Sequence, residues 1–242
     1  MKEENHLKQR LKKVSTATIA TALFKRGLKN QFIQGVFPLR TVEGNMVGRA
    51  YTLRYIPARE DLNTIDVFKN PKHLQRIAVE ECPEGYVLVI DSRKDARAAS
   101  AGSILATRLM KRGVAGIVTD GGFRDMLEIA KLSLPAFHKQ PSAPTNLTLH
   151  QAIAVNEPIG CGDVAVFPGD YIVGDNDGVI VIPFHITEEI ILECEAMEQY
   201  EAFVVQQVQK GASIIGLYPL TKPEMAEKYE HYKSQSSPNS LK

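Results

Sequence analysis

Tryptophan is absent from this chain of 242 residues, and cysteine occurs only three times. Cys82, Cys161 and Cys194 are widely spaced and form no C-x-x-C pair, so neither a disulfide framework nor a zinc site is predicted. We expect them to be reduced thiols. No apolar run reaches the ~18 residues of a membrane span, and the N-terminus carries no apolar signal region. The sequence therefore predicts a cytoplasmic protein that does not associate with membranes.

Net charge is also nearly absent, because 29 basic residues face 28 acidic ones. A formal charge of +1 gives no overall field to attract nucleic acid, so no nucleic-acid partner is predicted. The six histidines show neither H-x-x-x-H nor H-E-x-x-H spacing, which argues against a preformed zinc site. With 44% hydrophobic residues the chain has enough apolar material for one domain over residues 1–232. The polar segment 233–242 is predicted to be a disordered tail.

Hydrophobic patterning predicts helices at both ends of this domain and strands between them. Residues 7–26 have the apolar spacing of helical structure, and Ser15-Thr16 offers an N-cap for a helix that ends near Gly27. Alternation of polar and apolar residues in Gly48–Tyr55 predicts a strand with one face in solvent. Short segments in 152–183, separated by glycine and proline, predict antiparallel hairpins, and 187–210 predicts a long helix that begins at Thr187.

The middle of the chain predicts a parallel sheet. Tyr86–Asp91 is apolar on both faces, as expected for a strand covered by helices. Ser103 precedes a strong helix-forming segment that ends at Gly113, and the apolar segment Val114–Thr119 follows. Strand, helix and strand together predict a right-handed βαβ unit. The fold class is therefore α/β, with a central sheet flanked by helices and an N-terminal helical segment.

Two loops are expected at the carboxyl end of this sheet, where α/β proteins commonly bind ligands. One carries Arg124 and Asp125 side by side after Asp120-Gly-Gly, and could hold an anion and a cation together. The other, Ala99–Leu105, enters a helix N-terminus whose free N–H groups suit a carboxylate or phosphate. The alternatives are a solvated surface ion pair and a Ser103 that only caps its helix.

Four further features are candidates for function. Glu201 lies on the apolar stripe of the 187–210 helix, and its alternatives are a local salt bridge, a side chain that reaches solvent at the helix edge, or a role in a site or subunit interface. His138, at a strand end, is a candidate substrate contact. The charged segment Pro57–Asp61 is either surface or a substrate lid. Asp175–Gly178 has some calcium-loop character, but the downstream Glu is missing, and a turn is favoured.

Three segments of the chain together resemble the RraA-like family: Gly102-Ser-Ile-Leu-Ala-Thr107, Arg112–Asp125 with its Arg-Asp pair, and Phe167-Pro-Gly-Asp170 followed by Gly174–Pro183. That family joins regulators of ribonuclease activity to class II 4-hydroxy-4-methyl-2-oxoglutarate aldolases. The resemblance implies a swivelling β/β/α fold and a homotrimer or a dimer of trimers, with active sites between subunits. It also implies Mg²⁺- or Mn²⁺-dependent retro-aldol cleavage that releases pyruvate, and oxaloacetate decarboxylase activity in many members.

Site roles follow from the resemblance by position. Asp125 matches the metal ligand, and Arg124 matches the residue that holds the carboxylate and carbonyl of the 2-oxo acid substrate. Glu201 matches an acidic residue that a neighbouring subunit contributes to the water shell of the metal. The loop whose backbone amides bind the pyruvyl carboxylate corresponds to Gly102, Ser103, Ile104 and Leu105.

The chain departs from the aldolase pattern at one position. The aldolase pattern is an Asp, twenty intervening residues and then Arg-Asp, and here Ser103 occupies the position of that first Asp. The regulators lack the Asp after the Arg, so the retained Asp125 favours an enzyme. The alternatives are a non-catalytic regulator that binds an RNA-processing enzyme, and a lyase or dehydratase for a sugar-acid-derived 2-oxo acid.

Overall fold

The computed structural model describes residues 2–236, which form helices and short strands in alternation. The α-helices are α1 (Lys2–Leu11), α2 (Thr16–Lys25), α3 (Leu74–Glu81), α4 (Ser103–Lys111), α5 (Met126–Ala130), α6 (Thr187–Gln209) and α7 (Pro223–Ser236). The strands are β1 (Phe37–Pro38), β2 (Met46–Pro57), β3 (Tyr86–Asp91), β4 (Ala99–Ala101), β5 (Gly116–Thr119), β6 (Gly122–Phe123), β7 (Ala136–His138), β8 (Gln140–Pro141), β9 (His150–Val155), β10 (Ile159–Cys161), β11 (Val164–Val166), β12 (Tyr171–Gly174) and β13 (Val179–Ile182). None of the helices within residues 2–236 has both the length and the apolarity needed to cross a membrane.

The chain divides into two compact units where the sequence suggested one domain over 1–232. The first unit extends to Ile191 and the second begins at Leu192. The boundary falls inside α6, whose predicted bounds of 187–210 agree with the observed Thr187–Gln209 to within one residue.

An eight-stranded mixed sheet forms the centre of the first unit. Its order is β1-β7-β5-β3-β2-β12-β13, and β9 pairs with the far end of β2. β2, β3, β5 and β7 are parallel neighbours, whereas β1, β9, β12 and β13 pair antiparallel. The predicted α/β class with a βαβ unit is confirmed, because β3 and β5 are parallel and α4 lies between them in sequence.

Both faces of this sheet are covered. Leu88 and Ile90 of β3 point into a core with residues of α3 and α4, whereas Val87 and Val89 point into a second core with residues of the β10–β11 hairpin. The prediction that β2 has a solvent face was wrong, since it is buried at nearly every position from Met46 to Tyr55. The polar residues of β2 produced the alternating pattern although they do not face solvent. Thr52, for example, is fully buried and its hydroxyl donates to the Glu157 carbonyl.

Two side chains fix the start of α2. The Ser15 hydroxyl accepts a hydrogen bond from the Thr18 N–H at 3.1 Å, as the predicted N-cap of α2 requires. The Asp175 carboxylate accepts from the Thr16 N–H and hydroxyl, both at 2.8 Å. Asp175 thus lies in the turn between β12 and β13 and fixes the start of α2, which supports the turn interpretation.

In the second unit, α7 packs on the C-terminal part of α6 through aromatic side chains. The ring centroids of Phe203 and Tyr232 are 5.5 Å apart, and those of Phe203 and Tyr229 are 5.2 Å apart. These contacts hold the last turns of α7, so the helix continues to Ser236 and the predicted disorder from 233 begins too early. The remainder of that predicted tail, 237–242, lies outside the described residues.

Close packing at Gly48 gives a test of the sheet. A Cβ atom there would lie 2.8 Å from the Gly85 carbonyl oxygen and 2.9 Å from a Val87 methyl group. Because backbone cannot move aside cheaply, Gly48→Ala should lower the free energy of unfolding by about 1–3 kcal/mol. Gly160→Ala is the matched control, since nothing lies within 4 Å of its added methyl group. Urea unfolding would measure the midpoint and the slope of each variant. Equal midpoints for Gly48→Ala and Gly160→Ala would contradict the packing argument.

Candidate active site at the start of helix α4

A buried carboxylate connects the loops at the carboxyl end of the parallel strands. Asp120 follows β5 and is 1% exposed. It accepts hydrogen bonds from the N–H groups of Ser92 (2.7 Å), Lys94 (3.0 Å) and Gly162 (3.1 Å). Burial is the main influence on this group and raises its pKa, which the N–H donors partly oppose. Asp120 therefore fixes the chain after β3, the chain after β5 and the β10–β11 turn relative to one another.

Three buried hydroxyl groups continue this network towards α4. Ser92, Ser100 and Thr119 lie within hydrogen-bond distance of one another, with oxygen separations of 2.6, 2.8 and 3.0 Å. The carbonyl oxygen of Ser100 also accepts from Tyr55 at 3.2 Å and from Gln75 at 2.8 Å. β4 is thus held from two sides immediately before the chain enters α4.

Helix α4 begins one residue earlier than a Ser103 cap requires. Gly102 is the N-cap, and Ser103 is the first helical residue. The expectation that Ser103 caps its helix was wrong, because its hydroxyl is used elsewhere. The first helical hydrogen bond runs from the Ala106 N–H to the Gly102 carbonyl at 3.1 Å, so the N–H groups of residues 103–105 stay outside the helical ladder.

Arg124 and Asp125 lie against this helix start. Asp125 has left-handed backbone angles (φ 58°, ψ 44°), which Asp tolerates better than most residues. Its Oδ2 accepts hydrogen bonds from both the N–H and the hydroxyl of Ser103 at 3.1 Å, and the Nε of Arg124 is 3.6 Å away. The pair is therefore more than a solvated surface contact, because it is joined to the N-terminus of α4.

A cavity of about 640 Å³ opens at this point, within the size range of small-molecule sites. Its apolar walls are formed by Ile65, Phe68, Ala99, Ala101, Ile104 and Leu105. Gly102 and a set of polar residues complete the lining, namely Gln75, Arg76, Arg124, Asp125, Thr145 and Asn146. The structure thus brings Arg124 and Asp125 together with Gly102, Ile104 and Leu105, while Ser103 reaches the site through its contact with Asp125.

Other candidates lie elsewhere. His138 is 6% exposed and stacks on Phe123, with ring centroids 5.5 Å apart, and it does not line the cavity. Burial lowers its pKa. Arg59 and Asp61 pair with each other in solvent at 2.7 Å, which favours the surface interpretation of 57–61 over the lid. The nearby residues that line the cavity are Ile65 and Phe68.

Glu201 belongs to the second unit. Its carboxylate accepts a hydrogen bond from the Tyr218 hydroxyl at 3.1 Å, and this contact raises the pKa of Tyr218. The partner that a half-buried carboxylate needs is therefore a hydroxyl group here. A role for Glu201 in the metal shell stays a prediction.

The sequence analysis missed four polar contributors to the cavity: Gln75, Arg76, Thr145 and Asn146. None belongs to a motif, and they come from α3 and from the start of the short 3-10 helix Asn146–Thr148. The place of Gln75 and Arg76 in the cavity depends on how α3 packs on the sheet, which no local sequence pattern indicates.

The donor set fits one kind of metal ion. Within residues 2–236 no cluster of three or more His, Cys, Asp or Glu side chains is present. Asp125 is the one carboxylate that lines the cavity. Mg²⁺ keeps several waters and takes one or two carboxylates together with substrate oxygens. A single Asp beside an open cavity therefore fits Mg²⁺, whereas it does not fit an ion that requires a full set of protein ligands.

The fold recurs in solved structures of a class that includes RNase inhibitors. A Streptomyces coelicolor protein, described as an unusual member of the RNase ES inhibitor RraA protein family, is 29% identical with a TM-score of 0.73, covering 82% of this chain and 94% of that one. The RNA-processing inhibitor RraA of Thermus thermophilis is 25% identical with a TM-score of 0.50, covering 64% and 85%. The family profile of RraA-like proteins, described as Aldolase/RraA, matches residues 16–181, so the chain belongs to the RraA-like family.

Among curated sequences, a Halalkalibacterium halodurans protein named "Putative 4-hydroxy-4-methyl-2-oxoglutarate aldolase" is 37% identical over 114 residues. That alignment covers 47% of this chain and 54% of the relative. The chain thus spans about half the length of the curated relative it matches. Relatives of this name support a lyase-type family at modest identity.

Gly102 provides a test of the site that leaves the fold unchanged. An added Cβ would lie 2.7 Å from Asp125 Oδ2 and 2.9 Å from Arg124 Nε, both of them movable side-chain atoms. Gly102 has φ −134°, which alanine adopts freely. Gly102→Ala should therefore displace the Arg-Asp pair and reduce anion binding roughly tenfold or more while changing the melting temperature little. Calorimetric titration with oxalate and a thermal scan would measure both, and unchanged oxalate affinity would refute the described geometry.

Proposed function

We propose that this protein is a divalent-metal-dependent lyase that cleaves a 4-hydroxy-2-oxo acid by a retro-aldol reaction and releases pyruvate. The observation that carries the proposal is the meeting of Asp125, Arg124 and the N-terminus of α4 at one cavity. The names of the aldolase relatives support the same reaction class. Oxaloacetate decarboxylation belongs to the proposal, since it breaks a bond at the same position of a 2-oxo acid.

The roles of the side chains follow from their charges. The free N–H groups of Ile104 and Leu105 bind the carboxylate of the 2-oxo acid, aided by the helix dipole. Arg124 directs its guanidinium at the keto oxygen and adds positive charge where the enolate develops. Mg²⁺ or Mn²⁺, when held by Asp125, would supply Lewis-acid polarisation of the substrate oxygens. No lysine lines the cavity, so the proposal requires no covalent Schiff base.

A water molecule is the base that we propose for the 4-hydroxyl proton. The cavity lining includes no histidine and no glutamate, and Asp125 is assigned to the metal. Thr145 and the amide side chains of Gln75 and Asn146 can orient a water, but they cannot take up a proton at neutral pH.

A second candidate function is regulation of an RNA-processing enzyme without catalysis. The similarity to the Streptomyces protein named as a member of an RNase ES inhibitor family favours it. A binder of this kind needs neither Asp125 nor a metal, whereas the lyase needs both. Mg²⁺-dependent release of pyruvate from oxaloacetate therefore separates the two functions.

A homotrimer or a dimer of trimers, with sites between subunits, completes the proposal. Its support is the apolar lining at the mouth of the cavity, where Ile104 is 77% exposed and Ile65 is 68% exposed. Exposed large apolar side chains around a site are typical of subunit interfaces. Under this proposal Glu201 of a neighbouring subunit contributes to the water shell of the metal.

Asp125→Asn tests the metal role without changing the backbone, because Asn also adopts left-handed angles readily. We expect loss of Mg²⁺-dependent pyruvate release by roughly 100-fold or more, since a neutral amide is a poor ligand for a hard cation. Asp163→Asn is the matched control: Asp163 also has positive φ (65°) and lies exposed at the β10–β11 turn. If Asp125→Asn keeps the same Mg²⁺-dependent activity as Asp163→Asn and the wild type, Asp125 is excluded as the metal ligand.

Ser103→Asp tests the position where the chain departs from the aldolase pattern. The Ser103 hydroxyl is 3.1 Å from Asp125 Oδ2, so a carboxylate there would repel Asp125 in the free protein and share a cation with it. We expect Mg²⁺ affinity to rise by roughly 10–100-fold, the range of outer-shell changes. Calorimetric Mg²⁺ titration of wild type, Ser103→Asp and the exposed control Ser133→Asp would show this. Overlapping curves would mean that residue 103 has no influence on the metal.

A further inference from the structure

The cavity contains a second guanidinium group, which the proposed reaction does not use. Arg76 on α3 lines the same cavity as Arg124 and is half-buried. Its Cζ atom lies 4.6 Å from the centroid of the Phe68 ring, which is the geometry of a cation–π contact. Phe68 belongs to the 3-10 helix Ile65–Lys69 and also lines the cavity. The ring therefore holds the Arg76 side chain at the cavity wall.

No carboxylate in the described part of the chain forms an ion pair with Arg76. Glu80, one helical turn further along α3, is bound instead by Arg108 through contacts of 2.7, 3.0 and 3.1 Å. Arg108 also holds the pKa of Glu80 below its usual value. Burial lowers the pKa of His73, and the nearby positive charge of Arg76 lowers it further.

Arg124 is engaged differently. Its Nε lies 3.6 Å from Asp125 Oδ2, and its main-chain N–H donates to the Ala101 carbonyl at 3.1 Å. The Arg124 guanidinium is therefore associated with the carboxylate at the start of α4, whereas the Arg76 guanidinium contacts the Phe68 ring and has no carboxylate partner among the described residues. A pyruvate-sized monoanion needs only the first of these, and it would leave much of the 640 Å³ cavity unfilled.

We propose that Arg76, positioned by Phe68, is the specificity-determining residue of this cavity and binds a second anionic group on the part of the substrate that is not released as pyruvate. The inference rests on the proposed function, because it takes the 2-oxo acid end to lie at Arg124. A planar guanidinium binds a carboxylate or a phosphate through paired hydrogen bonds. The substrate class is thus a 2-oxo acid with a terminal carboxylate or phosphate.

Non-cleavable ligands test this without turnover. 2-Oxoglutarate and 2-oxopentanoate share the 2-oxo acid end and differ by the terminal carboxylate, and 2-oxo-4-phosphonobutanoate carries a phosphonate there. Calorimetric titration in Mg²⁺ gives the affinity ratio of each anionic ligand to 2-oxopentanoate. The larger ratio in the wild type identifies which anion Arg76 selects.

Four variants decide the role of Arg76. Arg76→Gln should lower the affinity ratio on the order of 10–100-fold, the range of a hydrogen bond to a charged group. Phe68→Leu should lower it roughly 2–5-fold, because the cation–π contact is lost while the charge remains. Arg76→Lys should fall between wild type and Arg76→Gln. Arg40→Gln removes the same charge at an exposed position outside the cavity, where the side chain donates to the Leu132 carbonyl, and should leave the ratio unchanged.

The outcomes separate this inference from the proposed function. If 2-oxopentanoate binds in an Arg124-dependent manner but the ratio is the same in wild type and Arg76→Gln, the role of Arg76 is overturned and the proposed function stands. If Arg40→Gln lowers the ratio as much as Arg76→Gln, the effect is general electrostatics and the inference is again overturned. If no 2-oxo acid binds to the wild type, the proposed function itself is refuted.

Discussion

The geometry of the site depends on the burial of one carboxylate, Asp120. Three loops approach one another at the end of the sheet: one carries Asp120, and the other two contribute three main-chain N–H groups to its side chain. The cost of burying a charge is offset because every donor comes from backbone that the fold has already placed there. Asp120 is followed by Gly121 and Gly122, whose lack of a side chain lets the chain pass Ser92 and Ser142 closely. Arg124 and Asp125 thereby reach α4 from a rigid base and not from a free loop.

Much of this arrangement could be predicted from the sequence, because it is local. The apolar strand Tyr86–Asp91, the helix former after Ser103 and the Asp-Gly-Gly stop each fix a neighbouring element, and the order of parallel strands then brings their ends together. The adjacency of Arg124 and the start of α4 followed from that order alone. The fold expected for the chain was confirmed, while the chemical role of each site residue stays a prediction.

The remainder depended on contacts between distant segments. Whether a Thr in β2 faces water or core is decided by β9 and β12, which are more than 90 residues away. Ser103 was expected to cap its helix because serine commonly does so, but Gly102 occupies that place and the hydroxyl binds Asp125 instead. Arg76 and Phe68 gave no signal, since a lone arginine on a helix and a phenylalanine in a charged loop are ordinary surface features.

The cysteines have a consequence for chemistry at the bench. Cys82, Cys161 and Cys194 are free thiols with no more than 1% of their surface exposed. Burial raises the pKa of Cys82 to about 12, and that of Cys161 lies well above its usual value. Because the thiolate is the reactive form, these buried thiols should react slowly with maleimides at neutral pH while the protein is folded. A cysteine introduced at Ala143, which is exposed beside Arg124, would then be the preferred site for a fluorescent label, and the emission of that label could follow ligand entry without removing any native cysteine.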